Sequence, residues 1–191
     1  CHFNHAPVDA ALVLREQHGL TPDKIASVTI GLDERQFGVV VDPIDAKRAP
    51  QSEYDAKFSV PYAVATALCK GRFTLADLED AARVDAEVLS LAQCIECTHD
   101  DRSRYPDAFS GGVKLTLADG TELEHFEAVN RGAEGQLLSA EQVKAKFLDN
   151  CALTIPADKA EQLWSAMLHL DEMKDVAELT ALLRTQANRA A

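Results

Sequence analysis

The densest polar cluster in the sequence is Cys1-His2-Phe3-Asn4-His5, which stands just ahead of a segment with helical spacing. Pro7 suits a first helical position, where its missing N–H costs nothing, and Gly19 suits the left-handed residue that ends a helix. The spacing therefore predicts a helix over 7–18, with His5 beside its N-terminus. Exposed N–H groups at such an end attract anions and lower an imidazole pKa. A neutral His there can relay a proton or hydrogen-bond a substrate carboxylate. A loop histidine acting as a structural cap is the plainer alternative. Tyr62 follows Pro61 at the head of a second helical segment, and its phenol can serve as a hydrogen-bond donor or acid. A core aromatic with its hydroxyl at the surface is the commoner case. Lys47 and Arg48 form a basic pair that can clamp a carboxylate, Arg in bidentate fashion, or can simply solvate a loop.

Three other patterns carry less chemistry. Cys94-Ile95-Glu96-Cys97-Thr98-His99 invites a zinc reading, but structural zinc needs four ligands and no second Cys-x-x-Cys appears. The same residues alternate as a plain strand does. Gly132-Ala133-Glu134-Gly135 lacks the Lys-Ser/Thr of a phosphate loop. The stripe of Leu163, Trp164, Met167 and Leu168 reads as core or interface.

The elements that must position these residues are legible in outline. Val28, Ile30 and Leu32 alternate with polar or small residues as in a strand. Residues 34–50 read mainly as loop, with Val39-Val40-Val41 a buried or short strand element. From Ser52 to Cys69 the pattern is helical, with Pro61 starting or kinking a segment. Two short helices follow, one opened by the Thr74/Asp77 capping box and one capped by Asp85. Val113, Leu115 and Leu117, the turn Asp119-Gly120 and the return Thr121–Val129 make a β-hairpin. After a capping box at Ser139/Gln142, three helices over 140–150, 156–169 and 175–187 close the chain. The expected fold is α+β: an antiparallel sheet with packed helices over residues 1–138, then a helical tail over 139–191.

With 191 residues and 47% hydrophobic content the chain can build one sizeable core. A net charge of −12 without a Lys/Arg stripe argues against nucleic acid as the main partner. Five scattered cysteines suit free thiols in a reducing compartment. No apolar run reaches the roughly 20 residues of a membrane span, and no basic-then-apolar leader opens the sequence, so a cytoplasmic location is expected.

Two segments carry a resemblance. Cys1-His2-Phe3-Asn4-His5-Ala6-Pro7-Val8-Asp9-Ala10, and Tyr54-Asp55-Ala56-Lys57-Phe58-Ser59-Val60-Pro61-Tyr62-Ala63-Val64-Ala65 followed by Gly71, resemble motifs of the MmgE/PrpD family. Asp119-Gly120 and the run from the Gly132 loop to Leu138-Ser139 and Lys146-Phe147 match the pattern of its carboxy-terminal domain. That family includes 2-methylcitrate dehydratases, cis-aconitate decarboxylases and iminodisuccinate epimerases. The resemblance implies a lyase or isomerase acting on small di- or tricarboxylates, with no metal or organic cofactor. It implies an active site shared with a preceding helical domain, against which the final helices would pack, and a homodimer. His5 and Tyr62 would face that site from the present domain, with Lys47 and Arg48 as weaker candidates for carboxylate binding. A Lys expected just before Cys1 and groups of the helical domain would complete it, so the chain by itself is expected to be inactive. Gln136-Leu137 stands where the family's glycine loop usually carries Asn-Pro. The rival reading is a non-catalytic binding or interaction module that keeps the domain's shape.

Overall fold

A computed structural model describes residues 1–183. They divide into two compact units, residues 1–137 and the residues from 138 onward. The first unit opens with helix α1 (His2–His18), which ends on Gly19 at φ 56°, a conformation that costs an L side chain more than it costs glycine. Strand β1 (Ile25–Leu32) follows. Four short helices come next: α2 (Phe37–Val40), α3 (Ile44–Arg48), α4 (Glu53–Lys57) and, longer, α5 (Val60–Lys70). Then come α6 (Asp80–Arg83) and α7 (Ala86–Gln93), strand β2 (Ile95–His99), and the hairpin of β3 (Gly111–Leu117) and β4 (Glu122–Glu127).

The sheet order is β2-β1-β3-β4. The β1–β3 and β3–β4 pairs are antiparallel, with Ile30 opposite Val113 and Leu115 opposite Leu123. The β1–β2 pair is parallel, with Val28 opposite Ile95. The fold is α+β as expected, but its sheet is mixed rather than purely antiparallel. The physical reason is the long helical crossover from Asp33 to Cys94, which returns the chain to the same end of the sheet. The hairpin turn forms at Asp119-Gly120, where Asp119 Oδ1 accepts the Thr121 N–H at 2.9 Å and Gly120 adopts φ 86°.

One helical layer covers the sheet: α1 lies on β3 and β4 and beside α5, and α5 lies beside α7 and touches β2. Val28, Ile30 and Leu32 of β1 and Val113 and Leu115 of β3 form the sheet side of the core. Val8, Ala11 and Leu14 of α1 with Val60, Val64 and Leu68 of α5 form the helical side. Every residue of α5 from Val60 to Cys69 is buried, so this helix is the spine of the unit. Ser59 caps it, accepting the Tyr62 N–H at 3.1 Å, and Pro61 sits in its first turn, as the break at Pro61 required.

Two local expectations are corrected. Helix α1 continues back to His2, so Pro7 lies inside it and His5 belongs to the helix rather than to a preceding loop. Residues 37–40 are helical, not a strand. An Asp33/Gln36 capping box turns the chain into helix immediately after β1, and the three valines follow that turn.

The second unit contains α8 (Ala140–Cys151), α9 (Ala157–Leu168) and α10 (Val176–Leu182). Ser139 and Gln142 form the expected capping box, and Trp164 packs against Phe147 with ring centroids 5.4 Å apart. Residues 184–187 of the expected last helix lie outside the described residues. Among the described residues no helix is long and apolar enough to cross a membrane.

Candidate functional site

The segment around His5 is fixed from three sides. Asn4 is buried and donates through Nδ2 to the Lys57 carbonyl at 3.1 Å, tying the first turn of α1 to the end of α4. Pro7 lies directly on β3: a Cβ built on Gly111 would stand 2.8 Å from two carbons of the Pro7 ring and 3.1 Å from Leu32 Cδ2. Glycine at 111 is therefore what lets α1 approach the sheet so closely. Phe3 packs against Tyr105 and Phe109, with centroids 5.6 Å away in each case.

These constraints present His5 to a cavity of about 660 Å³, within the range of about 300–1,000 Å³ usual for small-molecule sites. His2 and His5 line it from α1, Arg104, Asp107 and Phe109 from the loop between β2 and β3, and Asn130, Arg131 and Glu134 from the loop after β4. The two imidazoles meet edge-on with centroids 5.3 Å apart, and His2 also lies 5.2 Å from Phe109. One helical turn beyond His5, Asp9 receives the Arg131 guanidinium at 2.6 Å. That pair tethers the 130–136 loop to the helix carrying His5. Burial pushes the Asp9 carboxyl above its ordinary value, Arg131 pulls it down, and the nearby Glu127 adds to the rise.

The loop itself closes through its backbone, with Gly132 N–H donating to the Gln136 carbonyl at 2.8 Å and Gln136 N–H to the Ala133 carbonyl at 3.0 Å. The Gln136 amide also donates to Glu127 at 3.3 Å, and Glu127 holds His125 at 2.9 Å. Gln136, at the departure from the family pattern, thus works as a loop fastener.

The other anticipated residues have different surroundings. Tyr62 is 1% exposed, and its hydroxyl donates to the Asp77 carbonyl at 2.6 Å. Burial raises its pKa further. Tyr62 heads the most buried helix of the unit, and its proton is committed to a backbone acceptor. Lys47 is also held by backbone carbonyls. Its ammonium donates to the Val39 carbonyl at 2.6 Å and the Phe58 carbonyl at 2.7 Å, while its own carbonyl accepts the Ser59 hydroxyl. Arg48 donates to the Ile95 carbonyl at 2.6 and 3.2 Å, bracing α3 against β2. Of the four residues singled out from the sequence, only His5 lines the cavity.

Asp9, Arg104 and Arg131 were not singled out. The spacing of Asp9, four residues after His5 on one helix, was a usable signal. Arg104 and Arg131 arrive on loops that enter and leave the open end of the hairpin, where Gly111 pairs with Glu127, and no local pattern announces that. Cys94 is exposed at the end of α7 and Cys97 is half-buried in β2. Among the described residues no three His, Cys, Asp or Glu side chains are grouped to hold a metal ion.

Comparison with known proteins places these features. The model of the MmgE/PrpD C-terminal domain matches residues 1–172. The chain is 26% identical over 188 residues to the mouse (Mus musculus) protein named cis-aconitate decarboxylase, a match covering 94% of this chain and 37% of that protein. It is 32% identical over 126 residues to the 2-methylcitrate dehydratase of Escherichia coli K12, covering 61% of this chain and 25% of the relative. The chain therefore spans well under half the length of either relative. A match to the domain model over nine-tenths of the sequence, including both segments that frame His5 and α5, establishes the descent: this chain belongs to the MmgE/PrpD family, of which it carries the C-terminal domain.

Proposed function

We propose that this chain is the C-terminal part of a cofactor-independent MmgE/PrpD-type lyase or isomerase that moves a proton next to a carboxylate in small di- or tricarboxylates. The observation that carries the reading is His5 in one cavity with Arg104, an arginine without an ion pair among the described residues, while Arg131 on the same wall is paired with Asp9. An imidazole can take or return a proton near neutral pH, and guanidinium groups stabilise a carboxylate and the charge that develops beside it. Both acids in the relatives' names, cis-aconitate and 2-methylcitrate, are tricarboxylates, which fits that pairing of base and cations.

In dehydration, His5 would take the proton from the carbon next to a carboxylate while the hydroxyl on the neighbouring carbon leaves as water after protonation. Decarboxylation and epimerisation share the proton transfer at carbon and differ in what else breaks. The remaining acid and carboxylate-binding groups belong, in this reading, to the preceding helical domain, so the isolated chain is inactive. The homodimer and the cytoplasmic location implied by the family complete the proposal.

The test is the full-length protein incubated in D2O with a panel of hydroxy-tricarboxylates, unsaturated tricarboxylates and dicarboxylates, followed by proton NMR. Loss of a carbon-bound proton signal or appearance of product in at least one acid is expected. Carboxylate binding without turnover or exchange of any acid would instead mark a non-catalytic binding module.

A further inference from the structure

We propose that Arg104 is the carboxylate-binding residue that this domain contributes beside His5; the inference rests on the proposed carboxylate-processing function and specifies its substrate contact. The first support is how Arg104 is held. Its backbone N–H donates to Ser110 Oγ at 2.7 Å, and Ser110 is 1% exposed. Its carbonyl accepts the Ala108 N–H at 3.1 Å, while the Ser103 and Ser110 hydroxyls meet at 3.2 Å. The adjacent Tyr105 ring is gripped by Phe3, by Phe109 and by the Arg35 guanidinium 4.9 Å from its centroid. A fixed backbone therefore carries an exposed, long cationic side chain at the rim of the cavity that His5 lines.

The second support is charge accounting. Arg35 is paired with Asp33, Arg102 with Asp100 and Glu124, and Arg131 with Asp9. Among the described residues the Arg104 guanidinium has neither an ion pair nor a side-chain hydrogen bond. Asp107 and Glu134 also line the cavity, and neither forms an ion pair with Arg104. Their carboxylates oppose any anionic group on this wall that is not in direct contact with the guanidinium. The wall thus presents one unmatched planar cation, which suits bidentate capture of a single carboxylate, while the substrate's other carboxylates are held from elsewhere. Arg131, already neutralised by Asp9, holds its loop instead.

The experiment uses the full-length enzyme with Arg104→Gln, Arg104→Lys and, for comparison, Arg131→Gln. Arg104→Gln is expected to raise KM for the turned-over acid about ten- to hundredfold, the loss of one charge-assisted pair, with kcat changed far less. Arg104→Lys should recover part of that loss, and thermal melts should be unchanged because the side chain is exposed. Arg131→Gln should shift the melt as well as the kinetics. Wild-type enzyme that turns over an acid with Arg104→Gln kinetically identical to it would overturn the role of Arg104 and leave the proposed function standing. If no acid is turned over, calorimetric binding of tricarballylate decides: binding lost in Arg104→Gln supports the anchor, and binding unchanged or absent in the wild type overturns it.

Discussion

Arg131 reaches across from the loop after β4 to place a guanidinium nitrogen 2.6 Å from Asp9 Oδ1, one helical turn from His5. The pair joins two segments 122 residues apart and sets where the loop stands against the helix that carries His5. Asp9 is largely buried, and burial outweighs Arg131 in setting its pKa, which is raised. The folded state therefore keeps the Asp9 proton to a higher pH than the unfolded chain does. Stability from this source is fully present below the ordinary carboxyl value and is lost as pH rises through the raised one. Urea unfolding of wild type and Asp9→Asn at pH 4 and pH 7 checks this: the wild type's advantage is expected to be larger at pH 4. An advantage that grows toward pH 7 would mean that the ion pair outweighs burial.

Tyr62→Phe removes a hydroxyl whose partner is a buried backbone carbonyl. It should destabilise the protein by about 1–2 kcal/mol, because the Asp77 carbonyl loses its donor without gaining water. Activity per folded molecule of the full-length enzyme should stay within about twofold. A hundredfold loss of kcat at unchanged stability would restore Tyr62 to the chemistry.

Gly111→Ala puts a methyl group 2.8 Å from the Pro7 ring, against a helix that cannot bend away without pulling Asn4 off the Lys57 carbonyl. A cost of about 1–3 kcal/mol is expected from overpacking. In full-length enzyme the same change should lower activity, since it lifts the turn bearing His5. A variant with wild-type melting and kinetics would show that α1 has slack at this contact.

Thiol chemistry separates the cysteines. Burial pushes the Cys69 and Cys97 thiols up to about 12, so neither forms appreciable thiolate near neutrality. Cys94 is exposed. Iodoacetamide at pH 8, read by peptide mass mapping, should alkylate Cys94 well before Cys69 or Cys97 in the folded protein and all three alike in denaturant. Equal protection of Cys94 and Cys97 in the folded protein would point instead to a shared ligand at that pair.

The hairpin was legible because strict alternation and an Asp-Gly turn act locally, and α5 because Ser59, Pro61 and Gly71 punctuate it. The start of α1 was misread because Pro7 satisfies a first-turn rule, whereas its actual setting depends on Gly111, a residue 104 positions away that makes room for the ring. The parallel β1–β2 pair was equally non-local. At the site, residue type did not announce the surroundings of Tyr62, Lys47 and Arg48. Each has suitable chemistry, but the fold directs all three side chains to backbone carbonyls. His5 was legible from its company; Arg104 and Arg131 reach the same cavity only through the packing of two loops.

The most direct measurement is kcat of the full-length enzyme with His5→Gln against wild type, on whichever carboxylic acid the wild type turns over, with thermal melting as the control for folding. The melt separates loss of the imidazole's chemistry from loss of the contacts His5 makes, among them the edge-on His2 ring. Loss of a proton-transfer group should lower kcat by about a hundred- to ten-thousandfold. A His5→Gln enzyme that folds and turns over at the wild-type rate would contradict the account.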